Sequence, residues 1–198
     1  MRFKQNLIDS MSKIEIFAKN NVVKDFLHGW SHIERVIKYA RYVNGEVNAN
    51  WDIVYCAALL HDVGHKYKAE NHNVKSAEMA RNLLQELEIE EKTIKKVEHA
   101  ILTHSRQYAT DKPINIEAKV LFDADGMDLF GSIGLMRALL SCIFKKKGFK
   151  CIIRKCEWRL EEKENFYSNK SKKFVKENSK IIEFYLRELK KQLSLLID

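Results

Sequence analysis

Proline and glycine are scarce in this sequence: 198 residues include one proline and seven glycines. A fold of many short strands joined by tight turns needs more of both, whereas the abundant Leu, Ile, Lys and Glu favour long helices. The expected fold class is all-α, a compact multi-helix bundle with almost no sheet. Cysteine is sparse as well. Cys56, Cys142, Cys151 and Cys156 show no Cys-x-x-Cys spacing and no signal-peptide pattern precedes them, so reduced thiols in a cytoplasmic protein are expected. Also lacking is an apolar run long enough to span a bilayer. The run from Ile133 to Phe144 is too short and is interrupted by Arg137 and Ser141, which leaves no membrane segment and no expected membrane partner.

What is present is enough apolar material for a core, with 45% of residues hydrophobic. The formal net charge of +8 would suit an anionic partner, but the lysines are interspersed with glutamates as on ordinary solvated helix faces. The expected organisation is a core over residues 1–145, followed over 146–198 by helices that pack on the same domain or on a partner chain, as in a homo-oligomer.

Apolar periodicity locates the helices. Ser31 is placed to cap a helix bearing Ile33, Val36, Ile37, Ala40 and Val43, with Asn44-Gly45 marking its end. Trp51 to Asp62 is nearly all apolar, the composition of a buried central helix, and Gly64 is placed to terminate it. Further stripes begin at Ala77, at Ile94 and at Ile116, and a last one runs from about Lys172 to the chain end.

The dipeptide His61-Asp62 carries the strongest chemical signal. Ionisable groups following Leu59 and Leu60 must be paired, ligated or solvated. Adjacent residues differ by about 100° around a helix, so both can address one ion only where the helix ends. An imidazole and a carboxylate suit a borderline or hard divalent cation, but two ligands are too few. His32, early in its helix, and Asp123, at the end of an apolar run, are the candidates to complete the set.

Taken in order, His32, His61-Asp62 and Asp123 resemble the His…His-Asp…Asp signature of the HD-domain phosphohydrolase superfamily. The neighbourhoods match too: Ser31-His32-x-x-Arg35-Val36, Ala57-Ala58-Leu59-Leu60-His61-Asp62-Val63-Gly64, and Asp123-Ala-Asp-Gly-Met-Asp-Leu-Phe-Gly-Ser-Ile-Gly. The last is similar to a block found in a bacterial and archaeal branch that includes nucleotide pyrophosphohydrolases. The resemblance implies an enzyme that binds a divalent metal ion (Mn, Mg, Fe, Ni or Co) and hydrolyses a phosphoester or phosphoanhydride bond, most readily in a nucleotide.

Further residues take expected roles around that centre. His104 shares the apolar face of Ile94, Val97 and Ile101, whereas His99 is rotated away. His104 or Asp125 would handle the proton of a metal-activated water, beside the ligand Asp62. Arg35, one turn beyond His32, presents a guanidinium fork to phosphate, and Lys66 and His72 are the remaining expected substrate contacts. Asp125 and Asp128 have turn hydrogen bonding as their bland alternative. Competing functions are a metal-containing regulatory protein without turnover, a nucleic-acid binder lacking any recognisable nucleic-acid motif, and a paired-iron oxygenase.

Overall fold

A computed structural model of the chain describes residues 7–67 and 69–195. Among these residues there is no strand, and the helices are α1 (Leu7–Asn21), α2 (Trp30–Val47), α3 (Trp51–Leu60), α4 (His72–Glu86), α5 (Glu91–Thr103), α6 (Ile116–Met127), α7 (Gly131–Phe144), α8 (Phe149–Glu161) and α9 (Asn169–Ser194). The all-α expectation holds. No single described helix is long and apolar enough to cross a membrane. The chain divides into two compact units, one through Asp125 and one from Gly126. The division falls within the last turn of α6, and α7 packs on α8 and α9.

In the first unit α3 is the central element, touching α1, α2, α4 and α5. Its residues Val54, Cys56, Ala57, Ala58, Leu59 and Leu60 are completely buried, as the uninterrupted apolar run requires. Asn50 opens the helix, its side-chain oxygen accepting from the backbone N–H groups of Asp52 and Ile53 at 3.1 and 3.4 Å. The burial of Ile33, Val36, Ala40 and Val43 confirms the inward face of α2, but both of its expected ends move. The helix starts at Trp30 after Gly29, not after a Ser31 cap. A Cβ at Gly29 would lie 2.2 Å from the Asp25 carbonyl oxygen, so only glycine allows that close approach. At the other end Asn44-Gly45 does not stop the helix, which runs to Val47 and closes on Asn48 in the left-handed region (φ 52°). The Asn44 side chain instead braces the following turn, accepting from Ala49 N at 2.7 Å.

The second unit packs α7, α8 and α9 together. Arg137, which reads in sequence as an interruption of an apolar run, is buried and donates to the Asp128 carboxylate at 2.6 Å. Ser168 caps α9 by accepting from Ser171 N at 3.0 Å, a start slightly before the expected Lys172; residues 196–198 of the expected helix lie outside the described residues. Two cysteines overturn the expectation of four reduced thiols: Cys142 and Cys151 form a disulfide between the end of α7 and the start of α8. The turn between those helices brings together thiols nine residues apart, a proximity that a search for Cys-x-x-Cys spacing does not detect. Cys56 and Cys156 are free and buried.

Gly64 shows how tightly the turn after α3 is held. It donates its N–H to Ser76 Oγ at 2.9 Å, and a Cβ there would meet His72 O at 2.5 Å and Ser76 N at 2.6 Å. Those obstacles are backbone atoms of α4 and cannot swing aside. Gly64→Ala is therefore expected to cost about 1–3 kcal/mol of stability, read as a lowered midpoint of thermal unfolding. An unchanged midpoint would show that α4 yields freely.

Candidate metal centre

Helix ends converge in the first unit, and each contributes one polar group. His61 is the C-cap residue of α3 and His104 that of α5. The last carbonyls of a helix lack intrahelical donors. Each imidazole turns its Nδ1 back onto one of them: His61 Nδ1 lies 2.8 Å from Ala58 O, and His104 Nδ1 lies 2.6 Å from Ile101 O. That hydrogen bond places the ring proton on Nδ1 and leaves Nε2 as a lone pair aimed at the cluster. His32 comes from the first turn of α2, His72 is the first residue of α4, and Asp125 lies in the last turn of α6.

Asp62 stands at the centre, 3% exposed and divided between two groups of imidazoles. Its Oδ2 lies 3.5 Å from His32 Nε2 and 3.6 Å from His61 Nε2. Its Oδ1 lies 3.4, 3.6 and 3.5 Å from Nε2 of His65, His72 and His104. Asp125 Oδ1 adds a second carboxylate 3.3 Å from His32 Nε2. Two triads, His32–His61–Asp62 and Asp62–His72–His104, each gather their ligand atoms within 4.8 Å of one another. Asn73 holds the second group in register by donating to Leu102 O at 2.9 Å, tying the start of α4 to the end of α5.

The electrostatics describe a centre made for a cation. Burial pushes His61 down to about 4 and His65 down to about 3, each against the opposing pull of Asp62, so both rings stay neutral at ordinary pH. Burial alone would raise the two carboxyls, but the surrounding histidines, led by His61 for Asp62 and by His32 for Asp125, hold both well below the usual carboxylate range. Burial would lower His104, but the hydrogen bond and charge of Asp62, the charge of Asp125 and the hydrogen bond to Ile101 O together outweigh it and raise its pKa.

The close nitrogen pairs test whether a metal ion fits. His61 Nε2 lies 3.3 Å from His32 Nε2, and His72 Nε2 lies 3.2 Å from His104 Nε2. The neutral His61 ring, its proton held on Nδ1, can only accept at Nε2, and His104 can donate at Nε2 only by taking a second proton. Single protons on His32 and His72 would have to serve a nitrogen and a carboxylate together. Buried lone pairs and carboxylate oxygens crowded this closely are stabilised by a cation between them, and the imidazole and carboxylate donors suit a divalent one.

Of the four expected ligands, His32, His61 and Asp62 come together, and Asp125 also reaches His32. Asp123 is fully buried on the same helix, two residues earlier and so about 200° away around its axis. His72 and His104 lie in the cluster, while His99 sits apart and accepts from Ile114 N at 3.1 Å. Lys66 is exposed and donates to Asn21 Oδ1 at 2.6 Å. Arg35 is half-buried on α2, one turn beyond His32. Sequence reasoning missed His28 and His65, which stack on each other with centroids 4.1 Å apart while His65 stacks on His72 at 4.0 Å. The spacing was there to read: His65 lies one helical turn after Asp62 and His28 one turn before His32.

Helix ends presenting histidines to a central His-Asp pair define an HD fold, and the HD domain family model matches residues 29–129. The chain belongs to the HD domain family. YpgQ of Bacillus subtilis is 29% identical over 116 residues, which span 57% of this chain and 56% of YpgQ. The sequence match thus covers little more than half of that relative. The crystal structure of YpgQ in complex with ADP superposes with a TM-score of 0.75 at 25% identity, covering 94% of this chain and 96% of that one. A crystal structure of an HD-superfamily hydrolase from Bacillus thuringiensis gives a TM-score of 0.71 at 25% identity, with 96% and 99% covered.

Metal content measured by elemental analysis on purified variants checks the assignment. His61→Ala and Asp125→Asn are expected to lose the ion, with roughly 10–100-fold weaker affinity as the least effect, whereas His99→Ala retains it. Retention in Asp125→Asn together with loss in Asp123→Asn would return the ligand role to Asp123.

Proposed function

We propose that this chain is a metal-dependent phosphohydrolase that cleaves a phosphoester or phosphoanhydride bond, with a nucleotide as the substrate class. The observation that carries the reading is the buried convergence of His32, His61 and Asp62 in mutual contact, with the half-buried Asp125 touching His32. Membership of a family with solved hydrolases supports it, as does the ADP complex of YpgQ. In this reading His32, His61, Asp62 and Asp125 hold the ion, with Asp125 taking the position the sequence suggested for Asp123. Mn, Mg, Fe, Ni and Co all suit the donor set. When bound, a divalent ion of this kind activates water for attack and neutralises charge on phosphate oxygens.

The remaining residues take roles from where they stand. Asp125, engaged in holding the ion, does not move protons, which leaves His104 as the group that takes one up at Nε2, the nitrogen facing Asp62 Oδ1. Arg35 grips a phosphate oxygen from α2, and His72 orients substrate from the start of α4. Lys66, engaged with Asn21, reaches substrate only by giving up that bond. A second reading, in which Asp62, His72 and His104 hold a second ion, is favoured by the second triad. Two metal equivalents per chain would select it.

A screen of nucleotides and simple phosphoesters with each divalent ion tests the function. Hydrolysis should require added metal and stop on chelation; no turnover of any substrate with any ion would leave a regulatory metal protein as the better account. Arg35→Lys is expected to lower kcat/KM about tenfold to a hundredfold on the best substrate with metal content unchanged, since lysine keeps the charge but not the two-pronged geometry. Unchanged kcat/KM would remove Arg35 from the phosphate site.

A further inference from the structure

The second unit carries a surface that the metal centre does not use. Residues 143–150, where α7 turns into α8, are exposed without interruption. Ile143, Phe144 and Phe149 expose 57%, 59% and 54% of their surface, and Lys145, Lys146, Lys147 and Lys150 lie among them. Upstream on α7, Met136 is 51% exposed and Ile133 39%, at the three-and-seven-residue spacing that continues the apolar stripe away from the tip. Between Asp128 and Glu157 the sequence contains no acidic residue, while Arg154 and Lys155 extend the basic run. Lys155 is pushed down to about 8, by burial first and then by the charges of Arg159, Lys145 and Arg137. The turn has a fixed form: Lys147 N bonds to Cys142 O and Lys146 N to Ile143 O, with the Cys142–Cys151 disulfide across its base.

We propose that this tip docks on a phospholipid bilayer rich in anionic headgroups, with Phe144, Phe149 and Ile143 entering the headgroup–acyl boundary and the four lysines facing lipid phosphates. A bilayer offers both features this surface asks for, negative charge at the interface and an apolar phase just beneath it. A nucleic acid supplies the phosphates but no apolar phase for the aliphatic Ile143. A second copy of this chain brings the same uncompensated positive charge to the contact, which opposes association through the tip. The surface needs no spanning helix, since it would lie on the membrane and not cross it.

Co-sedimentation of the full chain with vesicles tests the proposal. Vesicles of 70% phosphatidylcholine and 30% phosphatidylglycerol should pull down the protein at least tenfold more effectively than pure phosphatidylcholine, and added salt should weaken the binding. Phe144→Ser with Phe149→Ser, and separately Lys145→Glu with Lys147→Glu, should each reduce that binding at least tenfold. Both double variants change exposed side chains, and unchanged thermal unfolding would confirm that each still folds. Equal recovery with the two vesicle types, or loss with the lysine variant alone, would overturn the proposal. So would binding of a single-stranded oligonucleotide that the lysine variant abolishes when vesicles recover no protein, or a dimer in light scattering that the phenylalanine variant dissolves.

Discussion

The structure of the first unit depends on one buried carboxylate. Asp62 is almost wholly removed from water, and an isolated charge in that position would be expelled or protonated. Its two oxygens face different sets of imidazoles, His32 and His61 on one side and His65, His72 and His104 on the other, an arrangement that ring N–H groups and a cation between the donors would balance. Those rings are delivered by separate stretches of backbone, so the carboxylate can be satisfied only if α2, the α3 turn, α4 and α5 all arrive at one place. The same demand explains Gly64, whose missing side chain lets the turn carrying Asp62 lie against the backbone of α4.

Helix termini do a second service at this centre. His61 and His104 both satisfy a carbonyl of the helix they terminate, and by doing so each fixes its own tautomer. A structural need of the helix end thus determines which nitrogen faces the cluster. Local capping, burial and metal affinity are therefore parts of one arrangement.

Legibility from sequence varied with the range of the interaction involved. The buried character of α3 and the inward face of α2 follow from the apolar period alone, because a core-facing side chain is selected by burial whatever its neighbour. His61-Asp62 was legible because ionisable groups that directly follow a buried apolar run must meet a partner or an ion. The opposite outcomes for His99 and His104 also followed from helical phase: five residues apart, they cannot share a face with Val97 and Ile101. Helix ends were less legible. Gly29 starts α2 because of a carbonyl oxygen four residues back, and Asn44 braces a turn beyond the helix it was expected to end.

The sequence by itself determined that the chain would be helical, that α3 would be central and that a His-Asp pair would seek cationic company, since composition, period and adjacency are properties of a linear string. Only the tertiary structure brings Asp125 to His32, because that contact depends on the rotation of α6 about its axis when it packs. It also decided that His28 and His65 stack beside the centre and that Cys142 meets Cys151 across a turn. In each case the residues are chemically competent in the sequence, but their partners are chosen by distances between elements, which local preferences do not encode.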